Sequence, residues 1–153
     1  MVYKRTAGEM FIERYHITGA TYKSELSEVV QAKDTQGGGS QIVALKFCSN
    51  RERFLQQLAV ARELQLSSEY VVSVLDSHDS DETHGNPVIV MPYGERNLGE
   101  AIAAEGFGGL TVEKIRSVAA QIAECLHVVH SHGIIHGDLP PQCYAAGSTC
   151  WHR

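Results

Sequence analysis

Ile134-Ile135-His136-Gly137-Asp138-Leu139 follows a long amphipathic segment, and far upstream of it Val43-Ala44-Leu45-Lys46 closes an apolar run. The order of these two strings decides the fold. Ahead of the first, Thr111 is a sound helix N-cap, and Glu113 in the first turn favours the helix dipole. Ile115, Val118, Ala119, Ile122, Leu126 and Val129 then hold the helical period, and Gly133 stands where a C′ glycine is expected. Further outward, Leu98 to Ala104 reads as a short helix stopped at Gly106-Phe107-Gly108-Gly109. From Arg51, apolar residues at Phe54, Leu58, Ala61 and Leu64 recur at helical spacing until Ser67-Ser68 ends the pattern.

The second string belongs to a run of strands. Gln41 to Phe47 is an extended segment with Ile42, Ala44 and Lys46 on one face. Before it, Tyr15-His16-Ile17-Thr18 and Glu28-Val29-Val30-Gln31-Ala32 read as two short strands around the polar stretch from Tyr22 to Ser27, and Gln36-Gly37-Gly38-Gly39-Ser40 reads as a flexible turn. After the first helix come two more, Val71-Val72-Ser73-Val74-Leu75 and Pro87-Val88-Ile89-Val90-Met91, with a solvated acidic turn between them that starts at Asp76. The first 14 residues show no period and read as a lead-in. Strands gathered at the front and helices at the back predict an α+β fold, a mainly antiparallel five-stranded sheet with one helix followed by a helical part.

Composition narrows the function classes. The 153 residues are 43% apolar and 20% charged, as in ordinary soluble domains. A net charge of −5 and the lack of a basic cluster argue against nucleic acid or an anionic membrane as partner. No apolar run approaches the ~18 residues needed to span a bilayer, and the N-terminus has no signal-peptide core. None of the four cysteines (Cys48, Cys125, Cys143, Cys150) forms a CxxC pair, which reads as a reducing, cytoplasmic setting.

Two residues could carry chemistry. A lysine closing an apolar strand is uncommon because a buried ammonium needs a partner; taken alone, Lys46 reads as an edge lysine reaching solvent. Asp138, past a helix C-terminus, could be a general base, a metal ligand or an Asx-turn residue, and alone the turn is the simplest account. In order, however, the strand lysine, the stretch Met91-Pro92-Tyr93-Gly94, the long helix and Ile-Ile-His-Gly-Asp-Leu resemble the third strand, hinge and catalytic loop of a eukaryotic-type protein kinase, over about residues 15–142. On that resemblance the chain divides into a lead-in at 1–14, an N-lobe with hinge at 15–94, a partial C-lobe at 95–143 and a tail at 144–153 unlike any kinase segment.

The resemblance implies ATP with Mg²⁺ as cofactor and transfer of the γ-phosphate to a protein hydroxyl, Ser/Thr in preference to Tyr. Lys46 would grip the α- and β-phosphates, Asp138 would accept the substrate proton, Val29 and Ala44 would cover the adenine, and Met91, Pro92, Tyr93 and Gly94 would border it. Several positions depart from the pattern. Counting back from Val29, the phosphate-loop glycine positions hold Tyr22, Ser24 and Ser27. Gln57 takes the place of the glutamate that pairs the lysine; Glu63, the nearest alternative, is about 240° round the helix from it. Gly137 replaces the usual arginine, Pro140 a lysine, and Cys143 the asparagine that binds magnesium, and no Asp-Phe-Gly follows. The abrupt change at Cys143 reads as a frameshift, an unspliced intron or a misplaced exon boundary. The expectation is a kinase-domain fragment with poor catalytic competence, or else a pseudokinase or interaction module that binds a protein partner and, in some form, nucleotide. A metal site among His127, His130, His132, His136, Cys143, Cys150 and His152 competes weakly, since Gly133 separates His132 from His136 and no HExxH occurs; the expected metal ligands are none.

Overall fold

Alternation of side chains builds the first half of the chain. The computed structural model describes residues 6–36, 41–79, 85–105 and 111–135. Six strands form one antiparallel sheet: β1 (Met10–Phe11), β2 (Tyr15–Lys23), β3 (Ser27–Asp34), β4 (Gln41–Cys48), β5 (Asp76–His78) and β6 (Val88–Pro92), in the order β1-β2-β3-β4-β6-β5. In β3 every second residue is buried (Glu28, Val30, Ala32, Asp34), the period-2 pattern of a strand with one face on the core. Strand β4 lies between β3 and β6 and is buried on both faces from Val43 to Cys48. Its one face, Val43, Leu45 and Phe47, joins Tyr15, Ile17, Val30 and Val90 in the main core. Its other face begins a second cluster, in which Cys48 and Ile89 meet Phe54 and Leu58 of helix α1 (Arg51–Leu64) together with Val74. Asn50 caps that helix, its Oδ1 accepting from the N–H groups of Glu52 and Arg53 at 2.8 and 3.2 Å.

The sheet curls until its two edges meet. The ring of Phe11 on β1 lies edge-on 5.8 Å from that of His78 on β5, and Tyr15 Oη donates to Asp76 at 3.3 Å. Arg14 holds Asp34 with two parallel bonds, Nε to Oδ1 at 2.9 Å and Nη2 to Oδ2 at 2.7 Å, and reaches Asp76 with Nη1 at 2.8 Å. Its guanidinium also stacks 4.7 Å over the Tyr15 ring. The Arg14 bond holds the Asp34 carboxyl below the usual carboxylate range, and burial, with Asp76 adding to it, pushes the Tyr15 phenol up.

Three expectations change here. The apolar stretch 71–75 is not a strand beyond an isolated bridge at Val71; the strand is Asp76–His78, placed in sequence within a solvated turn. Its polar side chains are tolerated because Arg14 and Tyr15 meet them at the seam. The lead-in contains β1, joined to β2 through Ile12 and Glu13 at φ of 46° and 56°, a left-handed turn that two non-glycine residues adopt. Among the described residues the sheet therefore has six strands: four of the five expected ones with shifted bounds, Asp76–His78 in place of the fifth, and a two-residue edge.

The chain separates into two compact units, Met1–Val60 with Ser73–Tyr93, and Ala61–Val72 with Gly94–Arg153. The second carries helices α2 (Leu98–Glu105) and α3 (Val112–Ser131). Asn97 and Glu100 cap α2 reciprocally, Asn97 Oδ1 accepting from the Glu100 N–H at 2.9 Å and Glu100 Oε2 from the Asn97 N–H at 2.8 Å. Thr111 caps α3 as expected, its side chain accepting from the Lys114 N–H at 3.3 Å. Gly133, at φ 72°, turns the chain out of the helix while its N–H bonds the His130 carbonyl at 2.9 Å. In α3 the buried residues are Cys125, Val128 and Val129; the first turns, with Val112 and Ile115, are exposed. Among the described residues no helix is long and apolar enough to cross a membrane.

Candidate functional site

Cross-strand register gathers the residues of interest. Val29 of β3 and Ile89 of β6 lie opposite Lys46 of β4, and Gln31 and Met91 lie opposite Ala44. Directly opposed residues of an antiparallel sheet project from the same face. Val29, Ala44, Lys46 and Met91 therefore share one face, the one not used by Leu45 and the main core. Ala44, Lys46 and Met91 are buried, Lys46 at 7% exposure. With Gln31, Ile89 and Cys48 on the same face, the Lys46 cation stands among mostly small or flexible apolar side chains.

The remaining candidates are placed differently. Pro92 pairs with Val43 and so falls on the opposite face. Tyr93, half-buried, ends the first unit, and Gly94, exposed, begins the second. Gln57 is half-buried on α1 between Phe54 and Leu58, the two side chains that meet the sheet, whereas Glu63 is exposed. Asp138, His136, Pro140 and Cys143 lie outside the described residues, as do His152 and Cys150.

Two features went unread in the sequence. Cys48 lies on the Lys46 face, two residues along β4; burial pushes its thiol up against the opposing pull of the Lys46 charge, so it stays protonated and unreactive. Strand alternation alone could have placed it there. The second is the β2–β3 turn. Ser24 Oγ accepts from the N–H groups of Leu26 and Ser27 at 3.3 and 3.1 Å, and the Ser24 N–H donates to the Ser27 carbonyl at 2.8 Å. Ser49 fastens the same turn from outside, its N–H and hydroxyl both donating to the Leu26 carbonyl, at 3.1 and 2.9 Å. Ser27 is opposite Cys48 and Tyr22 opposite Val29, so both belong to the Lys46 face. No cluster of three His, Cys, Asp or Glu side chains suited to a metal ion occurs among the described residues.

Comparison with known proteins gives a consistent answer. The family model for the protein kinase domain matches residues 23–143. The chain is 29% identical over 147 residues to the DYRK-family kinase pom1 of Schizosaccharomyces pombe, covering 92% of this chain and 13% of that protein. It is 29% identical over 136 residues to serine/threonine-protein kinase 36 of Mus musculus, covering 86% of this chain and 10% of that protein. It is also 29% identical over 142 residues to dual specificity tyrosine-phosphorylation-regulated kinase 2 of Drosophila melanogaster, covering 84% and 18%. The chain thus spans less than a fifth of the length of each of these relatives.

Proposed function

Since the chain belongs to the protein kinase domain family, we propose that the Lys46 face is its adenine-nucleotide site and that the parent reaction is transfer of a phosphoryl group from ATP to a protein serine or threonine. The observation carrying this reading is the register that sets Val29, Ala44, Met91 and the buried Lys46 on one face. In it Ala44, Val29 and Met91 hold the base, backbone groups of 92–94 border it, and the Lys46 ammonium meets the α- and β-phosphates. Gln57 is the helix residue nearest that role of lysine partner, offering a hydrogen bond where a carboxylate would offer charge. Asp138 accepts the proton of the substrate hydroxyl. ATP, when bound, supplies the phosphoryl group. Magnesium is a poor fit to what this chain offers, because the position expected to bind it holds the soft thiol of Cys143 in place of an amide oxygen.

These substitutions favour a second reading of the same fold, a kinase-family module in cytoplasmic surroundings that binds nucleotide or a protein partner with little turnover. Ser24, Ser27 and Gln57 support it independently of one another. Thermal unfolding with and without ATP separates the cases. The wild type is expected to be stabilised, and Lys46→Ala to lose most of that shift, since one charge-assisted contact is worth about tenfold or more in affinity. An equal shift in both proteins would remove Lys46 from the site. Autophosphorylation by the wild type that disappears in Asp138→Asn would establish catalysis and retire the second reading.

A further inference from the structure

We infer that Ser24 is a specificity-determining residue of the proposed nucleotide site, closing the β2–β3 turn to phosphate so that the site recognises the base and the phosphates at Lys46 but gains nothing from the turn. This rests on the nucleotide reading of the Lys46 face. An anion held by a turn needs backbone N–H groups that are free to point at it. Here the N–H groups of Leu26 and Ser27 both donate to Ser24 Oγ, and that of Ser24 donates to the Ser27 carbonyl. These three donors are therefore occupied by the turn itself. The Ser24 hydroxyl is also engaged, 3.2 Å from the Ser27 carbonyl and 3.3 Å from the Ser27 hydroxyl.

Two further contacts keep the turn from opening toward a ligand. Ser49, just beyond β4, grips the Leu26 carbonyl with both its N–H and its hydroxyl. Across the hairpin, Lys23 Nζ stands 4.0 Å from the buried carboxylate of Glu28. Position matters as much as hydrogen bonding. Ser27 lies on the same face as Lys46, one alternate position beyond Val29 toward the turn, and Tyr22 projects from that face opposite Val29. Phosphates extending past Lys46 in that direction would meet these side chains and a turn in which the N–H groups of Ser24, Leu26 and Ser27 are already bonded.

The test compares ATP with adenosine by titration calorimetry on the full chain, wild type and Ser24→Ala. Removing the hydroxyl releases two N–H groups, so the variant is expected to bind ATP about tenfold more tightly while adenosine affinity stays within twofold. Ser24→Gly carries the same comparison if the alanine variant does not fold. An unchanged or reduced preference for ATP, with adenosine binding intact, would overturn the role of Ser24 and leave the nucleotide site standing. Failure of wild type and variants alike to bind either ligand would overturn the nucleotide reading and this inference with it.

Discussion

Leu45→Ala is expected to lower the stability of the sheet unit by about 3 kcal/mol, within the ~2–5 kcal/mol range of buried leucine truncations. Leu45 is wholly buried and lies on β4, with β3 on one side and β6 on the other. Its side chain belongs to the main core, packed among residues from most of the strands. The surrounding strands are fixed by paired registers on both sides, so the site cannot collapse to fill the space and the cavity remains. Against a total stability of about 5–15 kcal/mol, the loss is a large fraction, and a fall of about 10 °C in Tm is expected. Leu66→Ala, at a position 87% exposed, is the control and should change stability by less than about 0.5 kcal/mol. Equal effects of the two substitutions in urea titrations would mean that the sheet interior is not the core described.

Arg14→Leu is the second large effect, about 2 kcal/mol at pH 7. The guanidinium is three-quarters covered, and it is the group that joins Asp34 on β3 to Asp76 on β5. Without it two partly buried carboxylates face each other across the seam. The figure is held below that of a fully buried pair because Asp76 remains 35% exposed. The pH dependence follows from Asp34. Its folded-state value lies below its unfolded one, so the stabilisation is complete above about pH 4 and is lost as pH falls through the folded value. The gap between wild type and Arg14→Leu should accordingly be full at pH 7 and shrink toward zero as Asp34 protonates in acid. A gap of the same size at pH 7 and pH 2.5 would mean that Arg14 acts through packing on Tyr15 alone. Tyr15 works in the other direction: its folded value is raised, so the stability it lends is full below about pH 10 and declines as pH rises toward the folded value.

The strands and helices that bury a repeating face were legible in the sequence. Thr111 and Gly133 mark both ends of α3 because caps depend on local chemistry that composition carries. The β5 region was misread for the opposite reason. Val71 and Val72 are apolar and buried, which period-2 reasoning takes for a strand, yet the chain there makes no ladder. Asp76-Ser77-His78 pairs with β6 because Arg14, Tyr15 and Phe11, more than 60 residues earlier, receive its side chains. No local pattern records such a partner. Strand β1 was missed because two residues show no period and the turn after it uses Ile12 and Glu13 where glycine would have signalled it. At the candidate site, motif order singled out Lys46, Ala44 and Val29, but which residues share their face is a matter of register, and register appears only once strands are paired. The occupied N–H groups of the Ser24 turn were invisible for the same reason, since a serine in a polar stretch names neither donor nor acceptor.

The strand order also dictates what a ribosome releases, and when. Strands β2, β3 and β4 can zip as consecutive hairpins as soon as they emerge, but the partner of β4's second edge, β6, begins 40 residues later (88 − 48). At about 5–20 residues per second, that edge of unpaired backbone stands open for several seconds in each round of synthesis. The interval delivers α1 and then β5, and Phe54 and Leu58 of α1 can settle on Cys48 and shield the apolar face before Ile89 arrives. The helix guards the face, while the edge itself stays exposed to any neighbouring nascent strand until β6 is made.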